Sequence, residues 1–281
     1  MINEKIYLKE LFSGLADTDY NPILTTYIQD VSDEIHPGHK RPSVVICPGG
    51  GYEFTSDREA EPIALKFMTA GFNAFVLRYS VKTTQYPAQL LQLSAAVAYV
   101  RSMAEEWHVD AEKIAVCGFS AGGHLAGSLG VFWNESFIAE KLGIEAGQNK
   151  PNAMILSYPV ITSGEFAHVG SFDFLLGKEA SKETREALSL EKHVSQNTPP
   201  AFIWHTFDDE TVPVENALLL ANALKQKDIP FELHIYNKGV HGLSLCDETT
   251  ANIQSPEHIS PHTATWFNLV VEWLKDVLKI V

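Results

Sequence analysis

Short apolar runs alternate with helix-period segments along most of this sequence. The runs are mostly continuous and rich in Val, Ile, Phe and Ala, which is typical of strands buried on both faces. Between them, apolar residues recur every three or four positions, which is typical of helices packed on a sheet. The pattern predicts strands at residues 43–47, 73–79, 113–119, 152–160, 200–206 and 231–236, and helices at 59–71, 87–107, 120–133, 214–228 and 263–279.

This alternation predicts one α/β domain over residues 1–281, with a mostly parallel sheet of about eight strands and helices on both faces. The first 40 residues differ, because their short runs EKIYL and ILTTYIQDV are separated by loops and indicate two antiparallel edge strands. Two stretches interrupt the rhythm, residues 161–197, with one short charged helix, and residues 243–262. Because long connections in compact domains are usually functional or disordered, we expect both to form a small cap.

Composition and charge exclude several classes of partner. The formal net charge is −14, and a surface this acidic repels nucleic acid and anionic membranes but not a neutral small molecule. No apolar run reaches the roughly 18 residues of a membrane-spanning helix, and the acidic N-terminal segment does not resemble a signal peptide. The three cysteines, Cys47, Cys117 and Cys246, include no CxxC pair. This cysteine usage fits a reducing cytoplasm, which is the predicted location.

The segment Gly118–Gly122 matches the pattern G-x-S-x-G and lies between a predicted strand and a predicted helix. Ser120 at such a turn needs a strained backbone so that its hydroxyl stands clear, and side chains at the flanking glycines would clash. The following helix directs N–H groups at the same point, which favours developing negative charge. Because chance matches to so short a motif are common, a nucleophilic Ser120 depends on partners elsewhere in the chain.

A second glycine-rich segment, CPGGGYEF at residues 47–54, follows the first predicted strand. Glycines there let backbone N–H groups approach a substrate closely, as an acyl-transfer site requires. An ordinary glycine-rich turn is the alternative. A phosphate-binding loop is a third interpretation, but no Gly-Lys-Ser/Thr follows. Tyr52, directly after the glycines, either lines an acyl pocket and contacts substrate or packs beneath the loop.

An acidic residue and a histidine that follow the serine in chain order would complete a catalytic triad in this kind of fold. Asp209 lies just past the fifth predicted strand, and His241 lies just past the sixth. In open α/β sheets the ligand site lies outside the carboxyl ends of the strands, so both side chains can meet Ser120 there. Asp208 and Glu210 compete with Asp209 for the acidic position.

Together these segments resemble the α/β-hydrolase superfamily of serine esterases and lipases. The likeness rests on P-G-G-G-Y, G-F-S-A-G-G-H-L-A, D-E-T-V-P and G-V-H-G, which lie between Pro48 and Gly242 in the family's order. Within the superfamily, the sequence is most similar to the bacterial carbohydrate-esterase branch of acetylxylan-esterase-like proteins. The family's D-x-x-V-P spacing selects Asp209, which precedes Val212-Pro213. Pro48 stands where the family's H-G-G-G loop has histidine, which leaves the support of that loop, though not its N–H donors, open.

The resemblance implies a serine hydrolase in which Ser120 attacks an ester carbonyl, His241 transfers the proton and Asp209 orients the imidazole. It implies no metal and no organic cofactor. The backbone N–H groups that it assigns to the oxyanion hole belong to Gly50, Gly51 and Ala121.

The expected substrate is a short-chain carboxylic ester, with acetyl groups on sugars or oligosaccharides implied by the resemblance. An amide-type hydrolase of the same fold, such as an arylformamidase or a small peptidase, would use the same residues. A non-catalytic binding member is the third alternative, although this chain keeps every part of the machinery. The closing helix could support a homodimer, but a helix that covers the sheet explains its pattern equally well.

Several other side chains near these motifs have simpler structural explanations. His124, one turn after Ser120, is expected to be buried and hydrogen-bonded, and His205, at a strand end, to be structural. Aromatic side chains in and beyond the long connections can stack on a substrate, but a small hydrophobic cap is the favoured explanation. These aromatic residues are Phe166, Phe172, Phe174 and Trp266.

Overall fold

A mostly parallel sheet organises the fold in the computed structural model, which describes residues 1–16, 20–252 and 254–280. Its spatial order is β1-β2-β4-β3-β5-β6-β7-β8. In that order β2 pairs antiparallel with β1 and β4, and every other neighbouring pair is parallel. The strands are β1 (Lys5–Tyr7), β2 (Ile23–Tyr27), β3 (Arg41–Cys47), β4 (Asn73–Arg78), β5 (Val109–Phe119), β6 (Ala153–Ser157), β7 (Ala201–Thr206) and β8 (Phe231–Tyr236).

Helices cover both faces of the sheet and bury a separate apolar core on each. Side chains of α1 and α8 belong to one core, and side chains of α2, α3 and α7 belong to the other. No described helix has the length and apolar character needed to cross a bilayer. The helices are α1 (Glu61–Thr69), α2 (Ala88–Ser102), α3 (Ala121–Phe132), α4 (Ser136–Leu142), α5 (Val169–Leu176), α6 (Lys182–Glu186), α7 (Glu215–Gln226) and α8 (Trp266–Val277).

The predicted fold class, an eight-stranded α/β sheet with an antiparallel edge, is confirmed. Boundaries differ most where α2 joins β5. The helix ends at Ser102 rather than 107, and the strand begins at Val109 rather than 113. Two short helices, α4 and α5, were not predicted, because about two turns carry too little periodicity to distinguish them from loops.

The two long connections differ in where they lie. Residues 161–197 contain α5 and α6 and contribute to the wall of a cavity at the carboxyl ends of the strands. Residues 243–262 begin in the core instead, where Leu243, Leu245 and Cys246 are at most 5% exposed. Their apolar side chains complete the packing beneath α8, and no described residue of this segment lines that cavity.

Candidate active site

Ser120 occupies a strained turn between β5 and α3. Its backbone has φ 53° and ψ −119°, a region that L-residues rarely adopt. The turn is held by the neighbouring segment: the N–H of Ser120 donates to the carbonyl of Ser157 (3.0 Å), and its carbonyl accepts from the N–H of Val160 (3.1 Å). The strain is therefore supported by β6 and the chain that follows it, and the serine hydroxyl is directed into the cavity.

Both glycines that flank Ser120 are required by close backbone approaches. A Cβ atom on Gly118 would lie 2.0 Å from the carbonyl oxygen of Gly122. A Cβ atom on Gly122 would lie 2.1 Å from the carbonyl oxygen of Cys47, at the end of β3. A side chain at either position would therefore clash with the backbone, as the sequence predicts.

A chain of hydrogen bonds joins the three side chains that the sequence placed at the strand ends. The hydroxyl of Ser120 lies 2.7 Å from Nε2 of His241, and Nδ1 of His241 lies 2.7 Å from Oδ2 of Asp209. The other carboxylate oxygen accepts from the backbone N–H groups of Thr211 and Val212, both at 2.9 Å. Because Nδ1 donates to the carboxylate, Nε2 is left as an acceptor for the serine proton.

Asp209 is a buried carboxylate that stays charged. Burial by itself opposes the charge, but hydrogen bonds from His205, His241 and the N–H of Val212 outweigh it and hold the pKa of Asp209 well below its usual range. His205 lies with its Nε2 2.9 Å from the carbonyl of Val212 and 3.3 Å from Asp209. It thereby supports the loop that carries the acid, which is the structural role expected for it.

Of the three neighbouring acids, Asp209 is the one that reaches His241. Asp208 is exposed and accepts the N–H of Gly239 at 2.7 Å, which ties the loop after β7 to the loop that carries the histidine. Glu210 is also exposed. The selection of Asp209 from the motif spacing agrees with this geometry.

The glycine-rich loop after β3 lies against Ser120 and presents unpaired backbone donors. Gly50 and Gly51 line the same cavity as Ser120, with φ 124° and 65°. Ala121 is the first residue of α3, so its N–H has no acceptor within the helix. None of these three N–H groups has an acceptor among the described residues. The loop and the helix start therefore offer donors where an oxyanion would form.

A buried glutamate supports the glycine-rich loop. Glu59 is 4% exposed, and its Oε2 accepts the N–H of Gly49 at 2.7 Å. The hydroxyl of Tyr79 donates to the carbonyl of Pro48 at 2.5 Å. Together these contacts hold the loop without the histidine that Pro48 replaces. The sequence indicated that a support was missing, but no pattern within the predicted helix 59–71 pointed to Glu59.

The same carboxylate connects the glycine-rich loop to the loop that carries the histidine. The hydroxyl of Tyr158 donates to Oε1 of Glu59 at 2.6 Å and accepts the N–H of Ser244 at 2.9 Å. Its ring packs edge-on to His241, with centroids 5.1 Å apart. Burial and the neighbouring Glu59 raise the pKa of Tyr158 well above its usual value, so the hydroxyl remains a donor.

Tyr52 packs beneath the glycine-rich loop and does not line the cavity, which corrects the expectation that it contacts substrate. It is 1% exposed, and its hydroxyl lies 2.9 Å from Nδ1 of His124. Nε2 of His124 lies 2.9 Å from the carbonyl of Leu188. Because burial lowers the pKa of His124 to about 4, the ring is neutral, donates to this carbonyl and accepts from Tyr52. The packing alternative for Tyr52 is the one realised.

The cavity above Ser120 has a volume of about 360 Å³, near the lower end of the range for small-ligand sites. The connection 161–197 contributes His168 and Phe174 to its wall, whereas Phe172 is buried and Trp266 stacks on Trp204 in the core. In the described part of the chain, no group of three or more His, Cys, Asp or Glu side chains is arranged to hold a metal ion.

Comparison with known proteins identifies the family of this chain. The BD-FAE family profile matches residues 30–224. The chain is 37% identical to endo-1,4-beta-xylanase B of Butyrivibrio fibrisolvens, over 87% of this chain and 38% of that protein. It is 30% identical to the acetylxylan esterase of Xylanibacter ruminicola, over 72% of this chain and 41% of that protein. The chain thus spans about two fifths of the length of these curated relatives.

A solved structure matches the chain along nearly its whole length. The acetyl ester-xyloside bifunctional hydrolase from Caldicellulosiruptor lactoaceticus is 35% identical, with 98% of this chain and 96% of that chain covered and a TM-score of 0.83. Fold, motif order and family profile therefore agree. The chain belongs to the BD-FAE family and has the α/β-hydrolase fold.

Proposed function

We propose that the protein is a serine hydrolase that removes short acyl groups, acetyl groups foremost, from sugars or oligosaccharides. The observation that carries the proposal is the hydrogen-bonded chain in which Ser120 lies 2.7 Å from His241 and His241 lies 2.7 Å from Asp209. The acetyl and sugar parts are supported by the relatives named as an acetylxylan esterase and an acetyl ester-xyloside hydrolase.

The first half of the reaction forms an acyl-enzyme. Oγ of Ser120 attacks the ester carbonyl while its proton passes to Nε2 of His241, and Asp209 stabilises the imidazolium that results. The carbonyl oxygen becomes an oxyanion and accepts hydrogen bonds from the free N–H groups at Gly50, Gly51 and Ala121. When the tetrahedral intermediate collapses, the bond to the alcohol oxygen breaks and the imidazolium gives that oxygen its proton.

The second half releases the acid. Water takes the place of the alcohol, gives a proton to the imidazole and attacks the acyl carbonyl, and the bond to Ser120 breaks as His241 returns the proton to the serine oxygen. Asp209 keeps its charge throughout, because its hydrogen-bond donors hold its pKa well below its usual range despite burial. The backbone donors act in both halves, since each passes through an oxyanion at the same position.

The size of the cavity favours a short acyl group. The cavity of about 360 Å³ must hold both the acyl part and the alcohol part of an ester. A sugar as the alcohol would take up much of this volume. Phe174 narrows one wall and Phe54, which is 57% exposed, stands at the rim. An acetyl group takes less of this space than a long acyl chain and leaves more of it for a sugar ring.

A substrate panel tests the proposal directly. Initial rates are measured on acetylated xylo-oligosaccharides, on aryl acetates such as 4-nitrophenyl acetate, and on formyl-kynurenine. We expect the highest kcat/KM on the acetylated sugars, with stoichiometric labelling of Ser120 by a fluorophosphonate. A preference for formyl-kynurenine would instead assign an amide-type hydrolase. Absence of both turnover and labelling would assign a non-catalytic member.

A further inference from the structure

His168 is a half-buried histidine in the cavity wall that the proposed chemistry does not use. It lies at the start of α5, in the connection 161–197, and shares the cavity with Ser120 and Gly51. Its Cε1 atom lies 3.9 Å from the point where a Cβ atom on Gly51 would stand. The ring therefore stands beside the glycine-rich loop.

The hydrogen bonds of His168 fix its tautomer. Nδ1 accepts the backbone N–H of Ser171 at 3.3 Å and also lies 2.8 Å from the hydroxyl of that residue. A backbone N–H can only donate, so Nδ1 carries no proton. Burial lowers the pKa of His168, which favours the neutral ring, and the one proton of that neutral ring is on Nε2.

The protonated Nε2 of His168 is an unused donor. No described residue accepts a hydrogen bond from it, and Nε2 remains accessible to solvent. The donor is also held in place, since the hydrogen bond at the helix start restrains the ring. A fixed, unpaired N–H in the wall of a cavity of this size is suited to orient a ligand.

The position of His168 indicates which half of the ester it meets. The alcohol oxygen must lie near Nε2 of His241, because it receives its proton from that atom. His168 and His241 both line the cavity above Ser120, so a ligand there can contact both rings. The oxyanion already has three backbone donors at Gly50, Gly51 and Ala121. We infer that Nε2–H of His168 binds an acceptor oxygen of the alcohol part, a sugar hydroxyl or ring oxygen beside the ester, and makes the enzyme selective for acetylated sugars over simple esters.

This inference rests on the proposed function, and a pair of substitutions separates the donor from its structural role. His168→Asn keeps an acceptor near the position of Nδ1, so it preserves the cap of α5 but removes the Nε2 donor. His168→Gln retains an N–H group near Nε2 and loses much of the cap. As a matched control, Ser181→Ala removes a cap of the same kind from α6, in the same connection, where the side chain of Ser181 accepts the N–H of Thr184.

The measurement is the ratio of kcat/KM on an acetylated xylo-oligosaccharide to kcat/KM on 4-nitrophenyl acetate, whose alcohol part has no sugar hydroxyl. We expect His168→Asn to lower this ratio about fivefold, the usual effect of one hydrogen bond, with most of the change in KM. His168→Gln should recover much of the ratio, and Ser181→Ala should leave it unchanged. The inhibition constant of xylobiose against 4-nitrophenyl acetate should rise by the same factor in His168→Asn.

Each remaining outcome overturns the inference. If His168→Asn lowers both kcat/KM values equally, the residue acts on the acyl side or on structure. If the ratio and the xylobiose constant stay within twofold of the wild type, Nε2 contacts no sugar oxygen. These outcomes differ from a failure of the proposed function, in which the unmodified enzyme itself would not hydrolyse acetylated sugars while still hydrolysing 4-nitrophenyl acetate or formyl-kynurenine.

Discussion

Replacing Glu59 with glutamine tests whether a buried carboxylate holds the glycine-rich loop in its active position. The carboxylate accepts from two donors on different segments, the N–H of Gly49 at 2.7 Å and the hydroxyl of Tyr158 at 2.6 Å. Glutamine has nearly the same shape but one acceptor oxygen and one NH2 group. Because the hydroxyl of Tyr158 already accepts the N–H of Ser244, glutamine cannot satisfy both partners of Glu59. In one orientation its NH2 group faces the N–H of Gly49, a second donor. In the other orientation it faces the Tyr158 hydroxyl, which must then accept two hydrogen bonds and loses the acceptor for its own proton.

The expected fall in kcat depends on how far the loop moves to relieve the unsatisfied contact. A buried polar group left unsatisfied costs about 1–3 kcal/mol, and the loop at Gly49 can shed part of this cost by moving away. Such a movement displaces the adjacent donors at Gly50 and Gly51, and complete loss of one oxyanion donor costs about 2.7–4 kcal/mol of barrier. For a partial displacement we expect kcat to fall about 10- to 100-fold. KM should change less than about threefold, because these donors act on charge that develops in the transition state.

The assay is steady-state hydrolysis of 4-nitrophenyl acetate, with thermal unfolding measured on the same preparations. Glu61→Gln is the matched control, because Glu61 also accepts a tyrosine hydroxyl, that of Tyr27 at 3.0 Å, but on the surface away from the cavity. Its kcat should stay within about twofold of the wild type. A folded Glu59→Gln variant with wild-type kcat would refute the idea that this carboxylate positions the oxyanion donors.

Three further predictions concern the triad and the cysteines. Ser120→Ala should lower kcat by about 10⁶ and abolish fluorophosphonate labelling, and retained labelling would identify another nucleophile. Asp209→Asn should lower kcat by about 10⁴. Because the pKa of Asp209 is lower folded than unfolded, its charge stabilises the fold above about pH 4, and this contribution is lost as pH falls further. The Tm difference between wild type and Asp209→Asn should therefore shrink below about pH 4, and a constant difference would contradict the assigned shift. Burial raises the pKa of all three cysteines, so a disulfide reagent should label none in the native protein and all in denaturant, and fast native labelling would show that one is accessible.

The sheet was predictable because its strands are buried on both faces and leave a continuous apolar signal. The strand predicted at 231–236 is β8 as observed, and the strand predicted at 200–206 differs from β7 by one residue. The sequence could not show where α2 ends, because the apolar pattern of the helix continues as far as Trp107. Trp107 belongs to a turn, but its side chain packs in the same core as the helix. The short helices α4 and α5 are stabilised by tertiary contacts, which a single sequence does not display.

The side chains around Ser120 also differ in whether the sequence could reveal their roles. Asp209 and His241 could be named because a triad restricts both residue types and chain order, and because both follow strand ends. Glu59 could not, since its role depends on Tyr158, a residue 99 positions away. His168 gave no signal beyond its place in a long connection. For Tyr52 the sequence left two alternatives, and burial against His124 decides between them.

Two buried acids stabilise opposite sides of the cavity, and this arrangement determines which residues are free to vary. Asp209 holds His241 from the β7 side, and Glu59 holds the glycine-rich loop from the β3 side. Both acids are at most 6% exposed and have backbone partners, so a change in either alters packing and chemistry together. The connection that carries His168 and Phe174 forms a separate wall, and its side chains in the cavity hold neither acid. Substitutions in that wall can therefore change which alcohol is accepted while the distances among the three triad side chains stay the same.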